Sequence, residues 1–339
     1  MSAVVYEGNR TLNVVPGLEF PPGPGEVRLE VAYCGICGTD MHIYHGNMDA
    51  RVTRPLTIGH EASATVAELG EGVENVTVGD CVAVRPLKFG ELHAFDKGHA
   101  HVGKNLKFIG IDAPGGMQAS WTVPAYTLHR LPEGVSLEHG ALAEPAAVAC
   151  HDVRLGRVAP GENVVVIGGG PIGILIALVA RERGVRVIVS EINEKRVRKI
   201  ESLGLEAINP LESNLAESVS EKTDGAMADA VFEVSGVQPG VDAMTSLANV
   251  RGRIIVVGIH PEPRQIDLFR FFWSELELIG ARLYEEEDFE KALSLMGEGK
   301  LPLDELITEV YPIDKVQSAF DTIESAPEGI KYLIKCDGV

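Results

Sequence analysis

The chain has 339 residues, 45% of them hydrophobic and 23% charged, which is the make-up of a soluble globular protein long enough for two domains. Its 49 acidic residues against 30 basic ones leave a net charge of −19, which argues against a nucleic acid or an anionic membrane as partner. Five scattered cysteines make no disulfide framework, no apolar run has the length of a membrane span, and Met1 to Arg10 lacks the pattern of a signal peptide, so a cytoplasmic setting is expected.

Residues 1–150 read as short strands broken by Gly and Pro, among them Glu26–Val31, Ala62–Leu69 and Asp80–Val84, with Pro21–Gly25 as a tight loop. A β-rich domain is expected there. It contains Cys34-Gly35-Ile36-Cys37-Gly38-Thr39-Asp40-Met41-His42, then Gly59-His60-Glu61, and at its end Glu144-Pro145. A Cys-x-x-Cys pair is half of a structural zinc site or a redox pair, but Cys81, Cys150 and Cys336 stand alone and supply no second half. A catalytic zinc needs only three protein ligands and an open position, and this stretch offers thiolate, imidazole and two carboxylates.

Residues 151–285 have another texture. The β-branched run Val164–Ile167 meets Gly168-Gly169-Gly170-Pro171-Ile172-Gly173, and the apolar helix pattern Ile174–Arg183 follows. Strands at Val185–Val189, Ala228–Val234 and Arg253–Val257 alternate with helices at Asn193–Leu203 and Pro239–Leu247, which predicts βαβ units and a parallel, doubly wound sheet. In the loop, Gly168 makes the tight turn, Gly170 lets the backbone approach a pyrophosphate and Gly173 lets helix and strand pack closely. Backbone N–H groups of the loop and the dipole of the helix that opens at Pro171-Ile172 then face the phosphates. Glu191 ends the next strand at roughly the 20-residue spacing expected of a carboxylate that accepts the ribose hydroxyls of NAD and repels the 2′-phosphate of NADP. Arg196 and Arg198 lie just beyond and blunt that repulsion. In residues 286–339, Glu287–Met296 and Asp314–Glu324 read as helices and Lys331–Lys335 as a last strand, a tail too short for its own domain and expected to complete the β-rich half.

In order and distance, the Cys37 to His42 motif, the Gly59-His60-Glu61 motif continuing through Gly70 and Val73, Gly79-Asp80, Glu144-Pro145 and the glycine loop resemble the zinc-dependent medium-chain dehydrogenases over nearly the whole chain. Ala64 departs from the pattern, which usually has glycine there. The resemblance implies an α/β protein: a GroES-like catalytic domain, 1–150 completed by 286–339, and a Rossmann cofactor domain, 151–285. It makes Cys37 and His60 zinc ligands, with Glu61 or Glu144 completing the shell directly or through water, and Asp40 orienting His60. Glu144 stands where simple alcohol dehydrogenases have a second cysteine, as in the polyol, butanediol and threonine branches. A carboxylate donates less charge than a thiolate, so the zinc should be a harder Lewis acid. The second, structural zinc of the family would need ligands at Phe89, Leu92, Phe95 and Gly103, none of which binds metal. One zinc per chain is expected, with a small apolar cluster in its place. The other reading, a metal held by His93, Asp96, His99 and His101, competes with a solvated loop.

The implied reaction moves a hydride between a secondary alcohol (a polyol, sugar alcohol or vicinal diol) and NAD, and the proton leaves through Thr39, the nicotinamide ribose and His42. Arg282 and Tyr284 resemble substrate positions of the diol branch, Arg282 equally fitting a cap on a strand end, and Tyr44 and His45 either line the pocket or close a loop. Two other readings compete: an amino-alcohol dehydrogenase of the L-threonine 3-dehydrogenase type, and a non-catalytic nucleotide-binding relative, which the ligand set argues against. A homodimer or homotetramer is expected, with a small-molecule partner only.

Overall fold

The computed structural model describes residues 1–326 and 328–336 and divides into two compact units. Unit 1 holds Met1–Glu144, Phe289–Gly299 and the segment from Leu303, and unit 2 holds Pro145–Asp288 and Lys300–Pro302. In chain order, unit 1 supplies β1 (Ser2–Gly8), β2 (Thr11–Pro16), β3 (Glu26–Ile36), α1 (Gly38–Tyr44), β4 (Leu56–Thr57), β5 (Glu61–Leu69), β6 (Cys81–Val84), β7 (Leu87–Lys88), β8 (Lys107–Phe108), β9 (Ser120–Pro124), β10 (Leu128–Arg130) and α2 (Leu137–Gly140). Helix α3 (Ala143–Leu155) begins in unit 1 and runs on into unit 2.

Unit 2 then adds β11 (Asn163–Ile167), α4 (Pro171–Arg181), β12 (Arg186–Ser190), α5 (Glu194–Ser202), β13 (Glu206–Ile208), α6 (Leu215–Lys222), β14 (Ala228–Glu233), α7 (Gln238–Leu247), β15 (Ala248–Val256), α8 (Leu268–Ser274) and β16 (Glu277–Gly280). The return to unit 1 passes through α9 (Glu286–Gly297), α10 (Leu303–Leu306), β17 (Ile307–Pro312), α11 (Val316–Ser325) and β18 (Lys331–Lys335).

In unit 1 the main sheet runs β10-β6-β5-β3-β18-β17, with β9 also paired to β3. Long strand β3 is its axis. Its inward residues Val27, Leu29 and Val31 are fully buried and alternate with less buried ones, as a strand with one core face requires. Strand β18 joins it antiparallel, Leu333 opposite Gly35 and Ile334 opposite Cys34. The last strand of the chain therefore lies beside the residues that lead into Cys37.

Unit 2 is a six-stranded parallel sheet of order β13-β12-β11-β14-β15-β16. Strand β11 is a near-continuous buried run of Val and Ile, as expected of a strand covered on both faces. Its core gathers Val165, Ile167, Ile188, Val231, Met244, Leu247 and Ile254. The order reverses between β11 and β14, which leaves a crevice at their carboxyl ends, where open α/β sheets bind ligands. Gly168 follows β11 with φ +105°, a conformation that favours glycine. A Cβ on Gly173 would fall on the carbonyl oxygen of Gly168, so only glycine lets α4 start there.

Gly173→Ala is expected to lose roughly 1–3 kcal/mol of stability, because the clash is with backbone that cannot rotate away. Urea unfolding checks this; an unchanged midpoint would mean that α4 packs less tightly on the loop than described.

Candidate metal and active site

Helix α1 starts directly after β3, with Cys37 as its N-cap. The Cys37 N–H donates to Asp40 Oδ2 at 2.9 Å, so the carboxylate caps the first turn. The other oxygen, Oδ1, faces His60 Nδ1 at 3.5 Å, and both residues are buried. One carboxylate thus sets the backbone of Cys37 and the ring of His60, which leaves His60 Nε2 and Cys37 Sγ for a third group. Phe108 packs against the imidazole, ring centroids 5.1 Å apart.

Glu61 opens β5 and is fully buried opposite Gly35 of β3. Its carboxylate meets Lys331 of β18, whose Nζ donates to Glu61 Oε1 at 2.5 Å and to the Ile36 carbonyl at 3.1 Å. Burial would depress the Lys331 ammonium, but Glu61 first, then Cys37 and Glu144, holds its pKa above the usual value. Lys331 is a site residue that the sequence reading passed over; the one signal was a lysine at the head of the apolar run Tyr332-Leu333-Ile334.

The ligand atoms of Cys37, His60 and Glu61 lie within 4.8 Å of one another. Glu144 is buried in the first turn of α3, outside that set yet near enough to act on Lys331. Burial opposes a charge on His60, but Asp40 and Cys37 outweigh it and hold the pKa well above the ordinary imidazole range. The field inside the cluster favours positive charge. A sulfur, an imidazole nitrogen and a carboxylate in such a field fit a zinc ion.

Thr39 and His42 lie on α1, both partly exposed. His42 Nδ1 is 3.3 Å from the Asn47 side-chain amide. His45 is tied elsewhere, 2.5 Å from Glu324, which also pairs with Arg10. Tyr44 packs toward α11: its hydroxyl accepts from Gln317 at 2.7 Å and meets Asp321 at 3.3 Å, and its ring packs on Phe320. The expected apolar cluster at the second-zinc positions needs correction, since Leu92 is 59% and Phe95 79% exposed. Phe89 stacks instead on Tyr126, and the loop is organised by Asp96, whose carboxylate accepts from the N–H groups of His93 at 2.7 Å and Lys104 at 2.9 Å.

In unit 2, Glu191 is buried and accepts from Gly169 N–H and Asn193 N–H, both at 2.8 Å. Arg196 approaches it at 3.7 Å, whereas Arg198 pairs outward with Glu194. A Cβ on Gly170 would meet nothing within 4 Å, so the space beside the second glycine is open. Pro171 and Ile172 form the first turn of α4. Beyond β16, Arg282 is exposed and Tyr284 fully buried.

Two family models match: an alcohol dehydrogenase GroES-like domain over residues 23–133 and a zinc-binding dehydrogenase domain over residues 171–298. The chain is 52% identical to 2-dehydro-3-deoxy-L-galactonate 5-dehydrogenase of Pseudoalteromonas atlantica over 338 residues, 99% of both chains. It is 34% identical to sorbitol dehydrogenase of Halalkalibacterium halodurans over 93% of each. A zinc-binding dehydrogenase from Sinorhizobium meliloti 1021, solved bound to NADP, superposes with a TM-score of 0.92 at 28% identity, over 98% of both chains.

Lys331→Met would leave Glu61 buried without its cation, a loss of about 3–5 kcal/mol. The metal-stripped protein should be destabilised more than the zinc-loaded one, because the ion replaces the missing charge. Urea unfolding with and without zinc reads this, and equal losses in the two states would contradict the pairing.

Proposed function

The chain belongs to the zinc-dependent medium-chain alcohol dehydrogenase family, and from that membership we propose that it transfers a hydride between NAD and a secondary alcohol carbon of a polyhydroxylated sugar acid. That it is a dehydrogenase with a nicotinamide cofactor follows from the family. The substrate rests on one observation above all, the 52% identity along both full lengths to an enzyme named for a 2-dehydro-3-deoxy sugar acid.

In this reading Cys37, His60 and either Glu61 or Glu144 hold the zinc. When bound, the ion supplies a Lewis acid that lowers the pKa of a substrate hydroxyl. Asp40 keeps the His60 ring and the α1 cap in register with each other. Thr39 takes the hydroxyl proton on its own oxygen, a group that both accepts and donates. His42 passes it to water; it is preferred over His45, which is held by Glu324. Arg282 and Tyr284 remain the proposed contacts to the rest of the substrate. The glycine loop and Glu191 bind NAD, and the Glu191 carboxylate disfavours a 2′-phosphate, a repulsion that Arg196 at 3.7 Å blunts.

A cytoplasmic setting fits five cysteines without a disulfide. No helix among the described residues is long and apolar enough to cross a membrane. A homodimer or homotetramer is proposed for the exposed face of unit 2, where edge strand β16 follows α8, whose Phe269, Phe272 and Trp273 are each at least 66% exposed. Phe272→Glu should shift the sedimenting mass toward monomer, and an unchanged mass would place any contact elsewhere.

The activity is tested by a panel of sugar acids, polyols, vicinal diols and L-threonine, run with NAD and NADP in parallel on protein assayed for metal. We expect one zinc per chain, turnover with a 3-deoxy sugar acid above that with sorbitol or threonine, and a preference for NAD. Best turnover with threonine would return the reading to the amino-alcohol branch, and a zinc ratio near two would assign a second ion.

A further inference from the structure

Near the glycine loop, unit 2 contains a buried carboxylate besides Glu191 that the proposed reaction leaves without a task. Glu233 ends β14 and is fully buried. It stands beside the reversal of strand order, where Val234 N–H donates to the Ile167 carbonyl at 2.9 Å. The turn that follows abuts the glycine loop, since a Cβ on Gly168 would lie 3.1 Å from Ser235 N. Glu233 Oε1 gathers that turn, accepting from Ser235 N–H at 3.0 Å, from Gly236 N–H at 3.1 Å and from the Ser235 hydroxyl. Oε2 meets His260 Nε2 at 2.9 Å.

His260 belongs to the segment that leaves β15. The main chain brings it close: Val257 and Gly258 N–H both donate to the Glu233 carbonyl at 2.9 Å, and a Cβ on Gly258 would meet Gly236 N at 2.6 Å. Arg264 closes the group, its Nε–H 3.4 Å from His260 Nδ1 and its other arm donating to the Gly236 carbonyl at 3.2 Å. Carboxylate, imidazole and guanidinium thus fasten the turn Ser235–Val237 to the segment Gly258–Arg264, along one wall of the crevice at the reversal point.

We propose that His260, backed by Arg264, is a positioning residue for the dinucleotide: it holds the Glu233 carboxylate, and through it the Ser235–Val237 turn, against the glycine loop before cofactor arrives. The physics is that of a buried carboxylate. Without the donor on Oε2 it must turn or draw in water, and it then gives up the N–H groups that shape the turn. The cofactor would have to order that wall itself, and its affinity would fall. The inference rests on the dinucleotide reading of unit 2, and not on the zinc or the sugar acid.

The test uses full-length, zinc-loaded protein, NADH fluorescence titration and steady-state kinetics. His260→Ala should bind NADH about tenfold more weakly, the loss of one charge-assisted hydrogen bond. KM for NAD should rise while kcat at saturating NAD is kept. His260→Gln, which can still offer an N–H at that reach, should recover most of the affinity. Unchanged NADH affinity in His260→Ala overturns the proposal. So does equal loss in the Ala and Gln variants, or a loss confined to kcat. Should His260→Ala not fold, Arg264→Met carries the test, with weaker NADH binding expected and unchanged binding fatal. Wild-type protein that binds neither NADH nor NADPH would overturn the dinucleotide reading together with the inference; wild-type binding with an indifferent His260→Ala overturns the inference alone.

Discussion

A charge placed in a protein interior must be answered there, and in this chain Lys331 answers Glu61. The pair lies 270 residues apart in sequence and joins the first residue of β5 to the first residue of the last strand. Neither partner is tolerable alone, because an uncompensated buried ion costs several kcal/mol. The pairing therefore makes the return of the chain to unit 1 a condition of the candidate metal site. Strand β18 must dock on β3 for the ammonium to reach Glu61 and the Ile36 carbonyl, and that same docking aligns the end of β3 that leads into Cys37. Asp40 works on the other side of the cluster in the same way, with one oxygen on a helix cap and the other toward an imidazole.

What could be read from the sequence was what is local. The glycine loop sits between an apolar strand and an apolar helix, and each glycine has a steric reason within a few residues of itself, so the parallel sheet of unit 2 and its crevice were legible. The candidate ligands Cys37, His60, Glu61 and Glu144 could be read as residue types in order, though not as the geometry that gathers Cys37, His60 and Glu61 and leaves Glu144 outside. Lys331 was not, since nothing near it in the chain announces a carboxylate. The networks around Glu233 and His260 depend on two turns brought together by neighbouring strands, and sequence spacing carries no trace of that.

One expectation failed for a physical reason. Three apolar residues at the second-zinc positions suggested a small core, yet a short loop with few neighbours cannot bury them, and Leu92 and Phe95 face water. Tyr44, beside the Cys37 to His42 motif in sequence, lies on the side of α1 that packs against α11. Proximity along a chain says little about direction once a helix has turned it. The short helix α8 went unread too, since its exposed aromatics follow no amphipathic pattern that a single chain would bury.

The loop around Asp96 has a consequence for how the protein survives its surroundings. Two backbone amides, that of Lys104 and then that of His93, pull the Asp96 carboxyl below the usual carboxylate range, so the folded loop holds it ionised. A group held that way lends stability above its unfolded pKa and withdraws it only as pH falls through the lower, folded value. The loop thus takes its shape from one carboxylate and the peptide groups that face it. The loop carries no cysteine, so it offers no thiol to oxidants, and the share of its stability that rests on the Asp96 carboxylate gives way to acid.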